Sequence, residues 1–130
     1  MDKVQHFEIP AKDMKRAEKF YRDVFGWKIQ DVSIGDMKYS MAHTAETDKK
    51  GMTKETNVIN GAIMEKDSSI AGPVVVITVG SINRAVEKVR DKGGSVVIPK
   101  NKVENMGMYA RVKDTEGNII GLWENIRNAG

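Results

Sequence analysis

The sequence predicts an α+β fold of two β-α-β-β-β modules whose mixed sheets form an open, barrel-like cup with the helices outside. Three observations carry that expectation. Short runs alternate apolar and polar residues with a period of two, two segments place apolar residues at helical spacing, and the second half repeats the order of the first. The repeat is visible residue by residue at an offset of 68, in Arg16 with Arg84, Ala17 with Ala85, Arg22 with Arg90, Asp23 with Asp91 and Gly26 with Gly94. Near the module ends the offset falls to 60, pairing Ile59 and Gly61 with Ile119 and Gly121, because the first half carries the longer loop.

The first strand is expected over 3–9, with Val4, His6 and Glu8 on one face and Gln5, Phe7 and Ile9 on the other. Pro10, lacking an N–H, is expected to end it. Asp13 has the chemistry of an N-cap, and Met14, Ala17, Phe20, Tyr21, Val24 and Phe25 form the apolar stripe of a helix closed by Gly26. Its charges, Lys12, Lys15, Arg16, Lys19 and Arg22 with Asp13, Glu18 and Asp23, read as a solvated face of mixed sign. Strands follow at 27–33, 36–43 and 57–65, with a tight turn at 34–36. The polar stretch 44–57 reads as a mobile surface loop with Met52 as its one apolar contact.

The second module opens with a strand at 73–79 and a helix capped by Ser81, whose stripe is Ile82, Ala85, Val86 and Val89. Gly93 and Gly94 stop the helix. Strands are expected at 95–98, 107–113 and 118–124, the last two joined by a turn at 114–117. The modules therefore span about 3–65 and 73–125 of one domain covering residues 1–130. Of the eight methionines, Met37, Met41, Met64, Met106 and Met108 are assigned to strands as core fillers.

A domain of this size buries roughly two thirds of its unfolded surface and needs no staples. Cysteine is absent, which removes disulfides, thiolate chemistry and every cysteine-based zinc motif. The longest apolar run, at 72–80, falls far short of the roughly 20 residues of a membrane helix, and the first residues lead directly into a strand. A cytoplasmic protein without membrane association is expected. The net charge of +3 is dispersed, and its small basic clusters lack interleaved aromatic residues, so no nucleic-acid partner is expected. No G-x-S-x-G elbow, P-loop or G-x-G-x-x-G follows a strand, and His43 has no evident triad partners.

The stretches HFEIPAKDMKRAEKFYRDVFGWKI, RAVEKVRDKGGSVVIPK and VKDTEGNIIGLWE resemble the vicinal oxygen chelate superfamily, which includes glyoxalase I, extradiol dioxygenases and the bleomycin and fosfomycin resistance proteins. The resemblance covers nearly the whole chain and implies the same paired-module fold. It leaves the chemistry open, since that fold hosts lyases, dioxygenases, epimerases and plain binders. In metal-dependent members the ion is held from the first and last strands of each module. Those positions fall here on His6, Val74, Gly61 and Gly121, of which only His6 is a ligand, whereas a catalytic ion needs about three. The metal set is read as lost, and no cofactor is expected.

The leading expectation is a small-molecule binding protein whose ligand is lined by Val4, His6, Glu8, Gly61, Gly121 and Trp123. The glycines would widen the trough and Trp123 would wall it. Glu8 stands about 7 Å along the strand from His6, and Lys38, Tyr39, Tyr109 and Arg111 are its candidate donors. The alternative is a lyase, isomerase or dioxygenase in which His6 or Glu8 moves a proton, with or without a noncanonical divalent metal. The family resemblance implies a homodimer in either case, and a third reading is a dimeric interaction module without a ligand.

Overall fold

The computed structural model describes residues 1–34, 37–50 and 53–126. Its elements are β1 (Lys3–Ala11), α1 (Met14–Phe25), β2 (Lys28–Ile34), β3 (Met37–His43), β4 (Gly61–Glu65), β5 (Val74–Thr78), α2 (Ile82–Asp91), β6 (Ser95–Val103), β7 (Gly107–Lys113) and β8 (Ile119–Asn125). This is β-α-β-β-β twice, an α+β chain with mixed sheets. Strand order is β2-β3-β4-β1-β5-β8-β7-β6, so each half repeats one topology, β2-β3-β4-β1 matching β6-β7-β8-β5. The chain divides into two compact units, residues 6–73 and residues 1–5 with the chain from Val74 on.

Local chemistry sets the helix ends. The Asp13 carboxylate accepts from the Arg16 N–H at 3.1 Å, and Gly26 adopts φ +72°, donating its N–H to the Arg22 carbonyl. Ser81 caps α2 by accepting from the Arg84 N–H, and Glu124 reaches from β8 to accept from the Ile82 N–H at 2.7 Å. At the β7–β8 turn the Asp114 carboxylate accepts from the N–H groups of Glu116 and Asn118 at 2.8 and 2.9 Å, while Gly117 takes φ +86°.

In the first unit, β1 and β4 run parallel with Phe7 opposite Gly61, Glu8 opposite Ala62 and Ile9 opposite Ile63. β3 runs antiparallel to β4 with Ala42 opposite Gly61 and Met41 opposite Ala62. Paired residues share a face. One face therefore carries Phe7, Ile9, Gly61, Ile63, Ala42 and Ser40, and α1 covers it, since Ser40 meets Glu18 of the helix. The opposite face carries Glu8, Ala62, Met64, Met41 and Tyr39. In the second unit Val79, Ile82, Ala110, Val112 and Leu122 form the core, with Ala85, Val86 and Val89 of α2 packed against it.

Several expectations are corrected. Glu18 belongs to no solvated face: it is 2% exposed and holds the Ser40 hydroxyl, whose oxygen also lies 3.1 Å from Asp31 Oδ1. The helix turns Met14, Ala17, Glu18 and Tyr21 inward because the sheet offers a polar partner at Ser40, which leaves Phe20, Val24 and Phe25 exposed. β1 continues past Pro10, which stands opposite Met64, and the Ala11 carbonyl accepts from the Lys66 N–H at 3.0 Å. A proline is tolerated in a strand where its missing donor is not required by the ladder.

β4 starts at Gly61 rather than 57, because Asn57 takes φ +67° and side-chain bonds from Thr44 to Ile59 and Asn60 replace the ladder. β6 extends to Val103 instead of ending at 98, with Pro99 accommodated within the register shift between Ile98 and Asn101. Met106 lies outside the strands and is exposed. The turn expected at 34–36 reaches into Gly35 and Asp36, which, like Met52, lie outside the described residues.

Two outcomes follow from the Glu18 junction. Ser40→Ala leaves a buried carboxylate without its donor and should cost about 1–3 kcal/mol, read as a lower urea midpoint. An unchanged midpoint would contradict the assignment. Asp31 is held down to about 2, first by its hydrogen bond with Lys15 at 2.9 Å and then by Glu18 and Ser40. Because its folded value is depressed from 3.8, its stabilisation is complete above that pH and is lost as the pH falls toward 2. Lys15→Gln should shrink this acid limb of a stability-versus-pH curve, and an identical limb in the variant would refute the pairing.

Candidate functional site

His6 and Glu8 project from the same side of β1, the side that α1 does not cover. His6 is half-buried, and burial pushes its imidazole below the ordinary 6.5. Glu8 is buried. Across the sheet their face continues into Ala62 and Met41, neither of which ligates an ion.

Gly61 is not on that face. It stands opposite Phe7, and a Cβ added there would come within 2.4 Å of Phe7 Cδ2. The space left by the absent side chain is filled by the phenylalanine ring, and the direction Gly61 faces is toward α1. Gly121 stands opposite Val76 and Arg111 in the second unit, on the face away from α2, and Trp123 shares that face with Tyr109 and Thr78. The indole N–H of Trp123 donates to Asn125 Oδ1 at 2.8 Å, and its ring lies across Gly107, where a Cβ would meet Cζ2 at 2.3 Å. Val74 is buried, whereas Val4 is 45% exposed.

The candidate donors for Glu8 are drawn from both units. Tyr39 lies on the Glu8 face of the first unit, two residues from Met41. Tyr109 and Arg111 lie on the Gly121 face of the second, where Arg111 is 4% exposed, donates from Nε to the Tyr109 hydroxyl at 2.8 Å and stacks over its ring. The side chain of Lys38 lies outside the described residues.

Two polar groups missed by sequence reasoning share a row with His6. Lys28 stands opposite His43 in the β2–β3 register, one step from the Ile29–Ala42 pair. Asn60 immediately precedes Gly61, and Thr44, which follows His43, donates its N–H to Asn60 Oδ1 at 2.9 Å. Lys28, His43, Asn60 and His6 thus occupy successive places in one row across the uncovered face. His43 Nδ1 and Asn60 Nδ2 are both buried without a hydrogen-bond partner. Beside this row lies a cavity of about 280 Å³ lined by Lys28, His43, Ala45, Glu46, Thr47 and Lys54. The only signal in the sequence was His43 itself, and its neighbours come from strand register.

A metal ion of the kind the fold family implies finds a poor donor set. About three protein ligands are needed, and among the described residues no three histidine, aspartate or glutamate side chains are grouped to hold an ion. The positions bearing on His6 supply Ala62, Asn60 and Met41.

A family model described as the Glyoxalase/Bleomycin resistance protein/Dioxygenase superfamily matches residues 3–122. Among curated relatives, CFP32 of Mycobacterium bovis, which has glyoxylase in its name, is 27% identical over 134 residues; these span 95% of this chain and 46% of CFP32. The chain thus spans about half the length of that relative. The lactoylglutathione lyase of Haemophilus influenzae is 27% identical, with 94% of this chain and 92% of the lyase covered. A structure of Streptomyces coelicolor methylmalonyl-CoA epimerase, solved in complex with 2-nitronate-propionyl-CoA, superposes with a TM-score of 0.68 at 17% identity, covering 95% of this chain and 97% of the epimerase. That likeness is one of fold.

The His6 environment has a measurable consequence. Its folded value lies below that of the unfolded chain, so the unfolded state binds more protons in between, and His6 contributes a stability that rises with pH up to about 6.5. An NMR titration should place His6 below 6.5, and a value at or above it would contradict the burial.

Proposed function

Because the chain belongs to the Glyoxalase/Bleomycin resistance protein/Dioxygenase superfamily, we propose that it is a small-molecule binding member that acts without the metal ion of its catalytic relatives. One observation carries the reading: His6 and Glu8 lie on a face whose in-register neighbours, Ala62 and Met41, offer no oxygen or nitrogen ligand for a divalent ion, and Gly61 faces away from it. An imidazole and a carboxylate beside Ala62, Met41 and Met64 suit a ligand with a few polar groups on a small apolar body. A homodimer in the cytoplasm belongs to the same proposal.

A second reading is supported by the depressed titration of His6. An imidazole kept neutral by burial accepts a proton at physiological pH, and Glu8 on the same strand face supplies a neighbouring acid or base. This fits proton abstraction from a carbon acid, a class in keeping with the names of the lyase and epimerase relatives.

Metal addition separates the readings from a metalloenzyme. Zinc, nickel, manganese or ferrous iron should leave the melting temperature unchanged, because an ion that binds only the folded state must raise it. Stoichiometric stabilisation by any of them would overturn the proposal. With lactoylglutathione as probe, turnover that survives both His6→Ala and Glu8→Gln would exclude the proton-transfer reading.

A further inference from the structure

We infer that the cavity beside His43 is an oxyanion site, built to take a carboxylate or phosphate group of a small ligand through Lys28, Lys54 and His43. The inference goes beyond the proposed function, since it concerns residues other than His6 and Glu8. Three independent features support it.

The first is charge. Lys28 and Lys54 both line the cavity, and neither ammonium group has an ion-pair partner among the described residues. Glu46 is the one carboxylate in the lining, so two cations accompany a single anion and the lining carries formal positive charge even without His43. A bound oxyanion removes that imbalance through charge-assisted hydrogen bonds.

The second is unmet hydrogen-bonding capacity. His43 Nδ1 is buried and unpartnered at the cavity wall. The adjoining Asn60 has its orientation fixed, because Oδ1 accepts from the Thr44 N–H, so Nδ2 is the donor and it too is buried without an acceptor. Buried polar groups left in this state destabilise the fold. A ligand oxygen is the complement that His43, which lines the cavity, lacks: it accepts from the imidazole in its Nδ1–H tautomer, with Asn60 behind it outside the lining.

The third is construction. The Thr47–Thr53 bridge and the Lys54 N–H bond to the Glu46 carbonyl at 2.8 Å hold together Glu46, Thr47 and Lys54, which share the lining with the in-register Lys28–His43 pair. The volume of about 280 Å³ lies under the roughly 300–1,000 Å³ of drug-sized sites. It suits one oxyanion and a few further atoms. Glu46 then selects for a hydrogen-bond donor close to the oxyanion, as in a 2-hydroxy acid.

The test is an NMR titration of the full chain, labelled with ¹³C and ¹⁵N, in metal-free buffer at constant ionic strength. Inorganic phosphate and glycolate serve as probes and chloride as the control. Saturable shifts at the His43 ring and the Asn60 side-chain amide are expected with at least one probe and not with chloride; which probe saturates identifies the oxyanion. Lys28→Gln and Lys54→Gln should each weaken binding about tenfold, the loss of one charge-assisted hydrogen bond. Shifts that fail to saturate with both probes, that chloride reproduces, or that keep their affinity in both lysine variants would overturn the site. Failure here leaves the metal-free reading of His6 and Glu8 standing, and metal-induced stabilisation would leave this site standing.

Discussion

The alignment of Phe7 with Gly61 in the parallel β1–β4 pair is the constraint on which the first unit depends. Side chains alternate along a strand, so a slip of one residue would exchange its two faces. Gly61 fixes the register by exclusion, because any side chain there would occupy the space of the Phe7 ring. Phe7 is in turn 5.6 Å from the Trp27 ring, and Trp27 stacks on Tyr21 at 4.8 Å, so the same contact ties the sheet to the end of α1. Everything on the uncovered face, including His6 and Glu8, is there because Phe7 is not.

Each unit also joins helix to sheet through a carboxylate, by opposite routes. In the first, Glu18 points from the helix into the sheet and meets the Ser40 hydroxyl. That hydroxyl has one proton and two carboxylate neighbours, so it serves Glu18 or Asp31 but not both at once, and the charge is balanced by Lys15, 2.9 Å from Asp31 and 3.6 Å from Glu18. In the second unit Glu124 points from the sheet to the first turn of α2 and takes up a backbone N–H that lacks an intrahelical partner. The helix of the first unit therefore carries a polar anchor amid its buried face, and part of its apolar stripe, Phe20, Val24 and Phe25, remains outside.

What was legible in the sequence was local. Asp13 and Ser81 cap their helices, Gly26 takes a left-handed turn and Asp114 closes its hairpin, because each depends on residues two to four positions away. The duplicated order of elements was legible for the same reason. The inward turn of Glu18 was not, since its partner Ser40 lies 22 residues on and only tertiary packing brings them together. Nor was the placing of Lys28 and Asn60 beside His43, which rests on pairings between strands. His6 and Glu8 could be put on one face from alternation alone, but nothing in their strand tells which residue of β4 lies beside them.

That last gap bears on the chemistry. The internal repeat pairs Gly61 with Gly121, yet Gly61 faces α1 while Gly121 lies on the face away from α2. The strand registers match Ala62 with Gly121 instead, since Ala62 stands opposite Glu8 as Gly121 stands opposite Val76, so the pairing expected at the module ends is one residue out. A carboxylate at position 61 would have pointed into the helix-covered side, where it could serve no ion beside His6. The place from which β4 could reach the His6–Glu8 face is Ala62, whose methyl group has no donor. In the first unit, then, neither the residue that register puts opposite Glu8 nor the glycine that the repeat points to carries a donor side chain. The polar chemistry of that face shifts along its row toward Asn60, His43 and Lys28, where unpaired donors and unneutralised charge are found together.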